Sequence, residues 1–296
     1  MAAQFKGVLP AVVTPFDSEG AFVPSAMEAL LARLYAKGAH GIYVLGQTGE
    51  GLNTPTAVRK QAAEFAMKNS PADKTVIVHV GSSKTAEAVE LARHASRIGA
   101  HAVSSLPPAG GLSFAEIRAY YETLAEVSEV PLLVYFFPEV SAAIATAEQI
   151  FDLCSIPNVA GLKFTDFDLF KLSRISLAGH TIFNGRDEVF AAGVLMGACG
   201  GIGTFYNLIP ELFVEVYDLA AQSRWQEARK VQDRINVLIA LTIRYPVFPA
   251  VKKMLQWSGI DCGDCLAPRR SLTAAEQTQL RADLEAASFD PAGFLK

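Results

Sequence analysis

The stretch TVIVHVGSSKTAEAVELARHASRIGAHAVSSL, residues 75–106, sets the reading of the whole chain. A β-branched run (75–80) leads into a segment with helical spacing (85–98), and another apolar run (102–106) follows directly. Val76-Ile77-Val78 is apolar on both faces, as suits a parallel strand covered on either side. Strand, helix and strand in that order make one βαβ unit.

The alternation extends outward in both directions. Further apolar runs at 8–13, 41–45, 131–137, 159–164, 181–184 and 200–205 bring the total to eight. Helical candidates at 25–36, 55–69, 113–127, 146–154, 168–176 and 188–196 lie between them. Eight βα units without a linker-like break predict an α/β fold, a closed (β/α)8 TIM barrel. An open doubly wound sheet would carry a glycine fingerprint after its first strand. Here Val12-Val13 leads instead into Thr14-Pro15-Phe16. Past Tyr206 only helical candidates follow, at 211–223, 225–242, 248–258 and 273–287. The expected organisation is a barrel over 1–222 and a small C-terminal helical extension over 223–296.

Composition agrees. The 296 residues are 51% hydrophobic and 19% charged, which excludes a disordered chain and leaves ample apolar material for one large core. A net charge of −4 gives no general attraction to nucleic acid or anionic membranes, so neither is expected as a partner. No run of about 18 apolar residues is present. Residues 1–15 hold an early lysine and an apolar stretch broken by Pro10, unlike the continuous apolar centre of a signal peptide. Cysteines are few, Cys154, Cys199, Cys262 and Cys265, which suits a cytoplasmic location. Cys262-Gly-Asp-Cys265 lacks a second ligand pair for zinc and a thioredoxin-like context, so it reads as free thiols in a late loop. No metal motif appears.

Barrels work at the C-terminal ends of their strands. The second run ends in Gly46-Gln47-Thr48-Gly49-Glu50, a turn able to aim backbone N–H groups and a hydroxyl at an anion. The sixth ends in Gly161-Leu162-Lys163-Phe164-Thr165-Asp166. A lysine there is either buried as a free amine, the nucleophile for a Schiff base, or snorkels out to pair with Asp166 or Asp168. The fifth ends in Tyr135-Phe136-Phe137, whose phenol could shuttle a proton or merely close the core. After the seventh, Gly185-Arg186-Asp187-Glu188 offers two carboxylates, either helix caps or acceptors for substrate hydroxyls.

Taken in order, Gly46-Gln47-Thr48-Gly49-Glu50, Tyr135, Gly161-Leu162-Lys163 and Gly201-Ile202-Gly203 resemble the pyruvate-dependent class I aldolases, the family of N-acetylneuraminate lyase and dihydrodipicolinate synthase. The resemblance covers nearly the whole chain. It implies that Lys163 forms a Schiff base with a 2-oxo acid, that Tyr135 relays a proton, and that Thr48 with the Gln47 backbone holds the pyruvate carboxylate. It implies no cofactor beyond that covalent link, and a homotetramer. Dihydrodipicolinate synthases carry an arginine five residues after the tyrosine, where this chain has Val140. Thr165, Gly185, Asp187, Glu188 and Thr204 match the sugar-binding positions of the neuraminate branch.

The expected reaction is therefore retro-aldol cleavage of N-acetylneuraminate or a similar 2-keto-3-deoxy sugar acid. Dihydrodipicolinate synthesis, or another sugar-acid aldolase or dehydratase activity, is the alternative. A non-catalytic sugar-acid binding protein is opposed by the intact Lys163 and Tyr135. Two positions depart from the family. Gln47 replaces a Ser or Thr, and the loop 106–111 lacks the tyrosine that reaches a neighbouring subunit's site.

Overall fold

The structure, a computed structural model, describes residues 5–290; the outermost residues of both expected segments, 1–4 and 291–296, lie outside it. Eight strands form the barrel wall: β1 (Gly7–Pro10), β2 (Gly41–Val44), β3 (Thr75–His79), β4 (Ala102–Ser105), β5 (Leu132–Phe136), β6 (Val159–Phe164), β7 (Thr181–Asn184) and β8 (Gly200–Gly203). Seven of the eight apolar runs hold one of them, and the run at 8–13 overlaps β1, which starts one residue earlier and ends at Pro10. All neighbours pair in parallel in the order β1-β8-β7-β6-β5-β4-β3-β2. The seam between β1 and β2 closes through an Ala11–Tyr43 bridge, with the Val12 N–H donating to the Tyr43 carbonyl at 2.9 Å. The fold is a (β/α)8 barrel.

The ring of helices is α1 (Pro24–Ala36), α2 (Thr56–Lys68), α3 (Thr85–Arg97), α4 (Phe114–Val127), α5 (Ala147–Cys154), α6 (Leu169–Leu177), α7 (Phe190–Leu195) and α8 (Pro210–Ala221). Several helices begin one residue later than the sequence pattern because the first polar residue acts as a cap. The Ser113 and Thr146 hydroxyls each accept the N–H three residues on, and their own backbone N–H groups donate in return to the Glu116 or Gln149 side chain. Asp168 accepts the Lys171 N–H in the same manner.

Two apolar layers result. Outward-facing strand side chains such as Val76, Val78, Val134, Leu162 and Phe164 pack under the helices. Inward-facing ones, including Leu9, Tyr43, Ile77, Leu133, Tyr135, Phe183 and Ile202, fill the barrel. Each buried aliphatic or aromatic contributes about 1.5–3 kcal/mol. Beyond α8 the chain forms α9 (Trp225–Thr242), α10 (Val247–Trp257) and α11 (Ala274–Ala286). No single helix among the described residues is long and apolar enough to cross a membrane.

Candidate active site

The site is built on a fault in β6. Leu132 of β5 pairs with Val159, but Leu133 pairs with Gly161, so β6 carries one extra residue. Ala160 already packs into the barrel interior, and strict alternation would then turn residue 162 inward and 163 outward. The bulge resets the phase. Leu162 and Phe164 join the outer layer, and Lys163 between them faces the interior beside its register partner Tyr135. Gly161 permits this: its φ is +150°, and a Cβ there would lie 2.1 Å from the Thr181 carbonyl oxygen.

Lys163 is 4% exposed, and its Nζ sits 4.4 Å from the Tyr135 ring centroid and 4.9 Å from that of Tyr43. No carboxylate among the described residues forms an ion pair with it. Asp166 and Asp168, its candidate partners in the snorkelling reading, are both taken by Lys171 at 3.1 and 3.5 Å. The lysine is interior.

Around it the strand ends converge. Thr48 and Thr204, from the turns after β2 and β8, join hydroxyls at 2.7 Å. Gln47 lies beside them in the cavity wall. The Gly185 N–H donates to the Phe164 carbonyl at 2.8 Å, tying the β7 turn to the end of β6. Thr165, buried one residue past β6, has a hydroxyl with no partner in the structure.

Asp187 does not cap its own short helical turn. Its carboxylate accepts the Phe205 N–H at 2.8 Å, across from the β8 side. Gly203 makes room, since a Cβ there would stand 2.0 Å from Asp187 Oδ1. Burial pushes the Asp187 carboxyl up to about 7, outweighing the backbone bonds that favour its ionised form.

All nine side chains and backbone positions singled out in the sequence line one cavity of about 260 Å³. The residues that the sequence did not indicate are also instructive. Phe137, two residues beyond Tyr135, stacks on it at 6.3 Å, and period-2 spacing could have revealed it. Arg186 stands in the quoted motif between Gly185 and Asp187. Ile243, Val247 and Phe248 come from the end of α9 and the start of α10, and no local pattern marks them.

The C-terminal helices also fix the site. Gln232 of α9 donates to the Asp187 carbonyl at 3.0 Å and accepts the Ala191 N–H at 2.9 Å, while Asn236 donates to the Glu188 carbonyl at 3.0 Å. Lys252 of α10 pairs with Glu50 at 2.9 Å, with both side chains almost wholly buried. Glu50 also accepts the Leu266 N–H at 2.7 Å. The glutamate of the Gly-rich turn is thus an anchor.

A larger cavity, about 710 Å³, opens between α1 and α10, but Lys252 in its wall is already held by Glu50 and the Asp264 carbonyl. Cys262 and Cys265 are free, and burial pushes both thiols up to about 12. Among the described residues no cluster of His, Cys, Asp and Glu could hold a metal ion.

Known proteins resemble this chain over nearly its whole length. Residues 4–287 match the profile of the dihydrodipicolinate synthetase family. An N-acetylneuraminate lyase of Rhizobium meliloti is 35% identical over 281 residues, 94% of each chain. The solved sialic acid aldolase of Ruminococcus gnavus superposes with a TM-score of 0.91 at 28% identity, covering 96% of this chain and 97% of that one. A structure of the same enzyme is described as a catalytic lysine mutant. A solved Proteus mirabilis N-acetylneuraminate lyase gives 0.90 at 28% identity, over 97% and 100% of the two chains.

Proposed function

The chain belongs to the dihydrodipicolinate synthetase family and is a carbon–carbon lyase, and from that premise we propose a Schiff-base mechanism centred on Lys163. The substrate is N-acetylneuraminate or a similar 2-keto-3-deoxy sugar acid. One observation carries the mechanism: a buried lysine without a carboxylate partner, register-paired with a tyrosine at the mouth of the barrel. The relatives' names, and the lysine described as catalytic in the Ruminococcus gnavus aldolase, support the same reading.

Thr48 and the backbone at Gln47 hold the substrate carboxylate, with Thr204 fixing the Thr48 hydroxyl. The free Lys163 amine attacks the keto carbon, and loss of water gives an iminium. As the C4 hydroxyl gives up its proton, the C3–C4 electrons move into the iminium, releasing the aldehyde and leaving an enamine. Protonation at C3 and hydrolysis release pyruvate and restore the amine. Tyr135, against the lysine, is placed to carry these protons. Asp187, Glu188, Thr165 and Gly185 face the sugar hydroxyls. The iminium is the electron sink, so the cycle calls for no metal or organic cofactor.

By the same reading the enzyme is a cytoplasmic homotetramer. Exposed Phe170 and Leu177 on α6 and Leu195 on α7 supply apolar surface that a second copy would cover.

Sodium borohydride with pyruvate tests the mechanism. Mass spectrometry should find the reduced adduct on Lys163. An adduct elsewhere, or one equally abundant in Lys163→Ala, would rule the mechanism out. Pyruvate release from N-acetylneuraminate and several 2-keto-3-deoxy sugar acids would then rank the substrates.

A further inference from the structure

We propose that Arg186 reads the far end of the substrate and selects 2-keto-3-deoxy acids bearing a second carboxylate there, an inference that rests on the Lys163 reading above. Arg186 lines the cavity that holds Lys163 and Thr48. Its guanidinium is held as a plane, with Cζ 4.5 Å from the Phe167 ring centroid and 5.3 Å from that of Phe137. Phe137 in turn stacks on Tyr135. A column of π-faces therefore connects the proton-carrying phenol to a cation at the rim.

The fork of that cation is half used. Nη2 donates to Glu139, while the buried Nε has no partner in the structure. Nε and Nη2 form one edge, the geometry that grips a carboxylate with two parallel bonds. The Glu139 side chain is 64% exposed, and an ion pair with so wet a carboxylate exchanges readily for a better-placed one. Its neighbour Val140 carries no charge, so the β5 loop supplies no competing cation at that position. Asp187 and Glu188 accept hydrogen bonds from hydroxyls when ionised, whereas a guanidinium only donates. Together they describe a short tail with hydroxyls along it and an anion at its end. A cavity of about 260 Å³ lies at the small end of ligand sites and suits a six-carbon diacid.

The test pairs a six-carbon 2-keto-3-deoxy aldonate with the matching aldarate, which differs only in a terminal carboxylate. Cleavage of the aldarate yields pyruvate and a three-carbon aldehyde acid. With pyruvate release as the readout, the wild type should favour the aldarate in kcat/KM by at least roughly tenfold. Arg186→Gln should reduce that ratio roughly 10- to 100-fold, mainly through KM. Arg186→Lys, which keeps the charge but not the fork, should restore only part of it. Equal use of both substrates by the wild type, or equal losses on both in Arg186→Gln, overturns the proposal. Borohydride trapping of the wild type with pyruvate separates the two failures. An adduct on Lys163 without aldarate preference sinks this inference alone, whereas no adduct sinks the mechanism beneath it.

Discussion

Among the described residues two lysines are buried, and their surroundings differ in one respect that matters. Lys252 meets a carboxylate at 2.9 Å and a backbone carbonyl at 2.9 Å, and it spends its charge on joining α10 to the turn after β2. Lys163, 4% exposed, faces two aromatic rings and a cavity. An ammonium that is hydrogen-bonded and paired gains nothing by reacting, whereas an unpaired amine beside a cavity is available to a carbonyl carbon. Both lysines are buried, so burial does not separate them; the ion-pair partner does.

That contrast can be broken by experiment. Lys163→Ala should cut turnover by at least roughly 10⁴-fold with little loss of melting temperature, as expected for removing a nucleophile. Turnover within tenfold of wild type would place the chemistry elsewhere. Lys252→Ala, which strands Glu50, should cost about 3–5 kcal/mol in denaturant unfolding. The borohydride adduct should still form in whatever fraction remains folded. Replacing both partners by apolar residues of similar volume should cost much less. Neutral behaviour of the single change would mean that the pair is not an anchor.

A third measurement sharpens the electrostatics. Asp187 has its carboxyl raised by burial to about 7 from the ordinary 3.8, so the folded state holds a proton that the unfolded chain releases. Its contribution to stability therefore falls as pH rises from about 4 to about 7, by up to about 4 kcal/mol. Asp187→Asn should remove the dependence. Its melting temperature should gain on the wild type across that window and run parallel to it above. A constant gap would mean that the group is ionised throughout. The smallest effect concerns the bulge. Gly161→Ala forces a left-handed φ and a clash with Thr181, at about 1–3 kcal/mol. A mass-spectrometric adduct yield that drops further than the folded fraction would show that Lys163 has lost its inward aim.

Much of this was open to a reader of the sequence. The eight apolar runs announced the strands because a parallel strand covered on both faces can hardly look otherwise. The cap residues Ser113, Thr146 and Asp168 were visible too, though counted as the first helical residue. The strand ends could be located because a barrel brings them together whatever its sequence, but position alone left Lys163 and Tyr135 with two readings each, and the family resemblance singled out the site residues. Arg186 was quoted but given no role, since its stacking on Phe167 and Phe137 joins three separate loops.

Sequence alone determined the barrel and the order of its strands, because these follow from short-range periodicity, and a motif resemblance picked out the side chains at its mouth. Which way Lys163 points was a tertiary decision. Alternation along β6 is equally consistent with either face, and only pairing with β5 introduces the extra residue that turns the amine inward. Tertiary structure likewise set the partner of each buried charge. Glu50 and Lys252 are more than 200 residues apart, and no local pattern encodes the contact that distinguishes a paired lysine from an unpaired one.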